Sequence, residues 1–134
     1  MEKGDKMNKK FEITMDGLPK YPKQILWKKG VKIEKSRKLI FSIADYNNSK
    51  KIFVWEEKTT MWKKGRYWDE RTIKFHFIKY GKNGFEVWFK LKEDYYYEME
   101  EIFKKILDIN VRKRNKEHFL KVIKNLNLPV EVIR

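Results

Sequence analysis

Between Gln24 and Lys92 apolar and polar residues alternate with a period of two, and from Asp94 to Leu128 the period lengthens to 3.6. Alternation at two marks strands with one buried face, and recurrence at 3.6 marks helices with an apolar stripe. The order of the two signals therefore predicts an α+β chain, in which an antiparallel β-meander of five to six strands is followed by two C-terminal helices packed on one face. Upstream, Phe11, Ile13 and Met15 alternate with polar residues and suggest an edge strand, before Gly17, Pro19 and Pro22 break the chain. The expected organisation is a disordered basic arm over 1–10 and a single α+β domain over 11–128. Its sheet covers 11–92, its helices cover 94–109 and 115–127, and a tail covers 129–134. A chain of 134 residues suits one compact domain.

Turn residues propose a register. Lys28-Lys29-Gly30, Lys63-Lys64-Gly65 and Lys82-Asn83-Gly84 each look like a three-residue hairpin loop ending on a left-handed glycine. The string Trp-Lys-Lys-Gly occurs twice, at 27–30 and 62–65, and reads as reused turn chemistry. With Asn47-Asn48-Ser49 as a further loop, these registers pair Phe41 with Trp55, Ile43 with Phe53, Trp55 with Ile73, Phe75 with Leu91 and Phe77 with Phe89. Odd-numbered residues then share one apolar face: Leu39, Phe41, Ile43, Phe53, Trp55, Ile73, Phe75, Phe77, Val87, Phe89 and Leu91. Tyr95, Met99, Ile102, Phe103 and Ile106 on the first helix, and Phe119, Val122, Ile123 and Leu126 on the second, supply stripes to cover it, with Asp94 and Asn115 as N-caps.

The opposite face is expected to carry Lys74, His76, Ile78, Tyr80, Trp88, Lys90 and Lys92, joined by Ile40, Ile52 and Val54. Flat rings among lysines suit a single strand, whose bases stack on rings while ammonium groups neutralise phosphates. The competing reading makes Ile52, Val54, Ile78 and Trp88 a homodimer interface, which is compatible with binding at a basic rim. A second candidate is the tip of the long hairpin, with Trp62, Lys63, Lys64, Arg66 and Trp68 beside Tyr67. Its alternatives are an arm folded back on the domain or exchanged with a second subunit. A basic run at Arg112-Lys113-Arg114-Asn115-Lys116 reads first as a solvated loop.

Charge points the same way. Lys and Arg number 33 against 19 Asp and Glu, a formal net charge of +14, and a polyanion such as nucleic acid relieves the self-repulsion. AT-rich coding would also enrich lysine, isoleucine and asparagine, but it does not favour tryptophan, of which there are five. Five acids and no base fall within 93–101, so the remainder is more basic still. The absence of cysteine rules out disulfides and thiolate metal sites, and the composition has a thermophile-like cast. No apolar run reaches the roughly 20 residues needed to span a bilayer, and residues 1–10 lack an apolar signal core, so an intracellular, cytoplasmic location is expected. The strand-then-helix order, with its many lysines and aromatics, resembles small single-stranded-DNA-binding proteins of archaeal viruses in architecture and composition.

These features predict a non-enzymatic, nucleic-acid-binding protein with single strands favoured, a possible homodimer, and no cofactor, metal or membrane partner. Lys74, His76, Tyr80, Trp88, Lys90, Lys92, Trp62, Lys63, Lys64, Arg66 and Trp68 are its candidate contacts, and no catalytic residue is proposed. Two alternatives stand beside it. One is a protein-interaction module, such as a virus-encoded inhibitor of an acidic host protein, steered by its lysines. The other is a magnesium-dependent nuclease of the PD-(D/E)xK type, because Asp45 precedes Glu56-Glu57-Lys58. The expected register pairs Asp45 with Lys51, which puts Asp45 and Glu56 about 16 Å apart along the strand, too far to share a cation.

Overall fold

The structure, a computed structural model, describes residues 11–14, 24–110 and 116–133. The arm expected at 1–10, the Asn115 cap and most of the basic run 112–116 lie outside these residues. Seven strands form one antiparallel sheet: β1 Glu12–Thr14, β2 Gln24–Lys28, β3 Val31–Asp45, β4 Lys50–Lys63, β5 Arg66–Lys79, β6 Phe85–Leu91 and β7 Val130–Ile133. Their order is β1-β3-β4-β5-β6-β7, and β2 lies beside the other half of the same β3 edge. A 3-10 segment, Glu93–Glu98, leads into α1 (Met99–Leu107), and α2 spans Lys116–Asn125. The fold is thus α+β, as expected. The segment expected as a tail from 129 instead adds a strand, with Val132 opposite Phe89 and Val130 opposite Leu91. Asp94 does not cap a helix; it lies inside the 3-10 segment, and Glu98 precedes α1 without a side-chain cap.

The turns differ from the expected design. Lys29-Gly30 and Lys64-Gly65 are two-residue turns in which both residues have positive φ, near 50° for the lysines and 77–78° for the glycines. That is the type I′ geometry that matches the twist of a hairpin. Lys28 therefore pairs with Val31, and Lys63 with Arg66. Ser49, with φ 54°, closes the β3–β4 connection, so Asp45 pairs with Lys50 rather than Lys51. The β5–β6 loop is longer than expected, and Lys79 pairs with Phe85. Gly84 is required there, because a Cβ would come 2.1 Å from the Lys79 carbonyl oxygen.

One-residue slips invert a strand's faces and two-residue slips preserve them. On β5 and β6 the expected odd face is buried: Ile73, Phe75, Phe77, Val87, Phe89 and Leu91. On β4 the faces are exchanged, and Ile52 and Val54 are fully buried in place of Phe53 and Trp55. On β3 a bulge at Ile40, between the pairs Leu39–Trp55 and Phe41–Val54, turns Leu39 to the other face. Ile102, Phe103, Ile106 and Leu107 from α1 and Phe119 and Ile123 from α2 close the core. Phe103 packs on Phe75 at 4.6 Å and Phe119 stacks on Phe77 at 4.4 Å between ring centroids.

Among the described residues, polar contacts from Lys50 and Tyr96 join the helical segments to the sheet. The buried Lys50 ammonium donates to the carbonyls of Leu107 (2.8 Å) and Ile109, meeting oxygens that the end of α1 leaves without helical partners. The Tyr96 hydroxyl accepts from the Ile73 N–H and donates to the Arg71 carbonyl, both at 3.2 Å. It thereby serves the β5 edge where pairing with β6, which begins at Lys74–Lys90, has ended.

Replacing Lys50 by Met keeps the apolar stem but strips both carbonyls of a charged donor. It should lower unfolding free energy by about 2 kcal/mol in urea titrations. The Tyr96 hydroxyl is held above its ordinary pKa of 10.0, chiefly by burial, with Glu93 and Glu56 adding to the shift and the Ile73 N–H opposing it. A folded pKa above the unfolded one means that the stabilisation is fully present below pH 10 and is lost as pH rises through the folded value. Tyr96→Phe should therefore cost about 1 kcal/mol at pH 7, and its deficit relative to wild type should shrink above pH 10.

Candidate nucleic-acid interface

The open face of the sheet is largely occupied by its own side chains. Lys74 is ion-paired with Glu57 at 2.9 Å. His76 stacks on Trp88, with centroids 4.3 Å apart and planes 5° from parallel, and its Nε2 lies 2.7 Å from Glu86. The Arg37 guanidinium lies over Trp55 at 5.0 Å and over Trp88 at 5.4 Å, and Lys51 lies over Phe53 at 4.8 Å. With Leu39, which is only 5% exposed, these groups form a second packing layer. The expected partners of Lys74, His76 and Ile78 were Lys92, Lys90 and Trp88; they are Lys90, Trp88 and Glu86. Ile52 and Val54 lie in the main core, so the aliphatic patch expected from Ile52, Val54, Ile78 and Trp88 does not form. Ile40 also packs against that core. Lys90 and Lys92 are exposed at the end of β6, and Tyr80 is exposed in the β5–β6 loop, with its N–H bonded to the Ser49 carbonyl.

Beyond Glu57 the strands run on without a described helix above them, and β2, β3, β4 and β5 form a four-stranded arm. Both I′ turns lie at its free end. Pairing lines up Trp27, Lys32, Trp62 and Tyr67 as one row across the four strands, on one face. Trp62 and Tyr67 have centroids 6.4 Å apart, and the Lys32 ammonium is 5.1 Å from the Trp62 ring. Trp27 is 71% exposed and Tyr67 66%. The next rows to either side face the other way: the pairs Lys28–Val31 and Lys63–Arg66 toward the turns, and Leu26, Ile33, Met61 and Trp68 toward the body. Trp62 and Trp68 therefore stand on opposite faces.

Segments 27–32 and 62–67 hold six cations, Lys28, Lys29, Lys32, Lys63, Lys64 and Arg66, and no acid. Acids begin two rows further in, at Glu34 and Asp69, on the face of the aromatic row. Glu34 reaches Lys32 at 3.8 Å, and Asp69 accepts from Thr60 at 2.7 Å. Of the expected tip residues, Trp62, Lys63, Lys64 and Arg66 come together with Trp27, Lys28, Lys29 and Lys32. The duplicated Trp-Lys-Lys-Gly string was the signal for the latter group, and placing its two copies side by side required β3 to pair with β4 along its whole length.

The acids of the nuclease reading do not converge. Asp45 is fully buried, opposite Lys50, and Glu56 stands six residues further along β4, about 20 Å away. Among the described residues no group of three or more His, Asp or Glu could hold a metal ion. No described helix is long and apolar enough to cross a membrane. No protein-family model, curated protein or solved structure matches the chain.

Trp88→Ala removes the platform under both His76 and Arg37 and should lower unfolding free energy by about 2 kcal/mol. Trp27→Ala, at an exposed site, should change it by less than about 0.5 kcal/mol. Paired urea denaturation curves test the contrast between a ring used for packing and one left open to solvent.

Proposed function

We propose that the protein is a non-enzymatic, sequence-tolerant binder of single-stranded nucleic acid, and that the tip of the arm carries the binding. The observation behind this reading is the meeting of two Trp-Lys-Lys-Gly turns, which puts three rings and six cations together with no acid among them. Rings stack on any base and cations neutralise any phosphate, so the combination asks for a polyanion with exposed bases rather than for a sequence. The width of the arm favours single strands over duplex. Four strands span about 14 Å between outer axes. The major groove of B-DNA, about 12 Å wide, admits a two-stranded ribbon. Lys74, His76 and Trp88 serve this function by holding the arm to the body, since their polar atoms and ring faces are engaged within the sheet.

A second reading, a protein-interaction module, draws on the apolar row Leu26, Ile33, Met61 and Trp68. Leu26 is 50% exposed and Trp68 43%. Binding that survives nuclease treatment and is abolished by Trp68→Ala but not by Trp27→Ala would favour it.

The test compares single-stranded DNA, RNA and duplex DNA of mixed sequence at two salt concentrations. Single strands should bind tighter than duplex, tryptophan fluorescence should fall on adding oligo(dT), and log affinity should decline with log salt at a slope of about −2 if Lys29, Lys32 and Lys64 engage, steeper if the cations of the opposite face also reach the strand. Unchanged fluorescence with no retention on single-stranded DNA at low salt would sink the proposal.

A further inference from the structure

We infer that the two Trp-Lys-Lys-Gly turns are equivalent half-sites that hold one strand laid across the arm, its bases over the aromatic row and its phosphates on the side of the turns. The inference rests on the function proposed above and adds the direction, the length and the paired character of the contact.

Three observations carry it. First, the half-sites are alike in sequence and in turn geometry, with Trp27 exposed and Trp62 half-buried beside Tyr67 and Lys32. Each offers a tryptophan followed by two lysines and a glycine, and the two turns agree closely in φ: 51° and 77° at Lys29-Gly30, 50° and 78° at Lys64-Gly65. Trp27 and Trp62 lie on the same face in the same row, two strands apart, which is about 10 Å at the usual strand spacing. A stacked strand rises about 3.4 Å per nucleotide, so about three steps separate the half-sites.

Second, charge on the aromatic face changes sign by row: cations at the tip give way to Glu34 and Asp69 two rows inward, and these to Lys58 and Arg71 two rows beyond, with Lys58 3.8 Å from Asp69. Lys29 and Lys64 occupy the turns, Lys32 lies in the aromatic row, and Glu34 and Asp69 lie on the body side of it. A phosphate chain crossing this face beside the turns meets cations and no acid before the Glu34 and Asp69 row, while its bases fall on Trp27, Trp62 and Tyr67.

Third, both turns keep a lysine where the backbone disfavours one. The first position of a type I′ turn has positive φ, a conformation that asparagine, aspartate and glycine adopt readily and long side chains do not. Lysine at both turns sacrifices local stability for a cation at the tip, the pattern expected where a strained residue serves binding.

Fluorescence anisotropy with labelled oligo(dT) of two to twelve nucleotides tests the inference on wild type, Trp27→Ala, Trp62→Ala, Lys29→Asn and Lys64→Asn. Wild-type affinity should rise steeply up to about five nucleotides and slowly thereafter, because a strand that reaches both half-sites gains from their linkage. Each tryptophan variant should lose about tenfold on long oligomers and should lose the steep rise. Each asparagine variant should flatten the salt slope by about 0.7 while raising Tm by about 3 °C. The Tm increase shows that weaker binding does not come from misfolding. Paired half-sites are overturned if Trp62→Ala loses binding while Trp27→Ala keeps wild-type affinity and length dependence. Phosphate placement at the turns is overturned if the asparagine variants keep the wild-type salt slope. Absence of wild-type binding to every oligomer at low salt would instead overturn the proposed function itself.

Discussion

Fourteen consecutive rungs join β4 to β5, from Lys50–Lys79 at the body to Lys63–Arg66 at the tip, and the arm exists only because this ladder continues past the point where the helices stop. Over the body the ladder is held by burial, with Phe75 and Phe77 fully enclosed under Phe103 and Phe119. Over the arm no described helix covers either face, and among the described residues it is held by backbone pairing, the two I′ turns and rows of side chains lying across neighbouring strands. A lone hairpin is marginal in water, whereas a ribbon of four strands can persist. The pairing of β2 to β3 and of β3 to β4 is therefore what allows aromatic side chains to be carried away from the core and left open.

The bulge at Ile40 marks the change between these regimes. On its body side Phe41 and Ile43 face the helices; on its arm side Leu39 and Arg37 face the opposite way. The switch places Arg37 over Trp55 and Trp88 and builds the small second layer on the reverse of the sheet. The arm is thus anchored from both sides of its root. Tyr96 ties its outer edge to the segment before α1, and the Arg37, Trp55, Trp88 and His76 group ties its inner face across β3 to β6.

The class of fold and the inward residues of β5 and β6 were legible in the sequence because apolar residues there alternate cleanly: Ile73, Phe75 and Phe77, then Val87, Phe89 and Leu91. The misjudged β5–β6 loop shifted partners by two and left the faces intact. Strand β4 offered no such protection. Ile52-Phe53-Val54-Trp55 is apolar at both parities, so alternation could not correct a turn misjudged by one residue. Lys-Lys-Gly fits either a three-residue loop with a bulge or a two-residue I′ turn, and only the latter needs a left-handed lysine. Strand β7 is not legible in the sequence, because Val-Glu-Val-Ile is too short to signal without its partner β6. Trp27 is not legible as a candidate contact in the sequence, because its row is assembled from four strands and is adjacent in no stretch of sequence.

The arm also raises a problem that its charge resolves. Strand β2 pairs only with β3, and β5 from Arg66 to Ile73 pairs only with β4, so among the described residues two strand edges are open, the kind of edge that recruits another copy of a chain. Tyr96 serves the inner part of the β5 edge, but the outer part has no cover among these contacts. Lys28, Lys29, Lys63, Lys64 and Arg66 cluster where those edges reach solvent, and edge-to-edge pairing of two arms in parallel would bring these cations against their equals. The cations that carry the proposed binding at the tip would thus also oppose association of free arms through it.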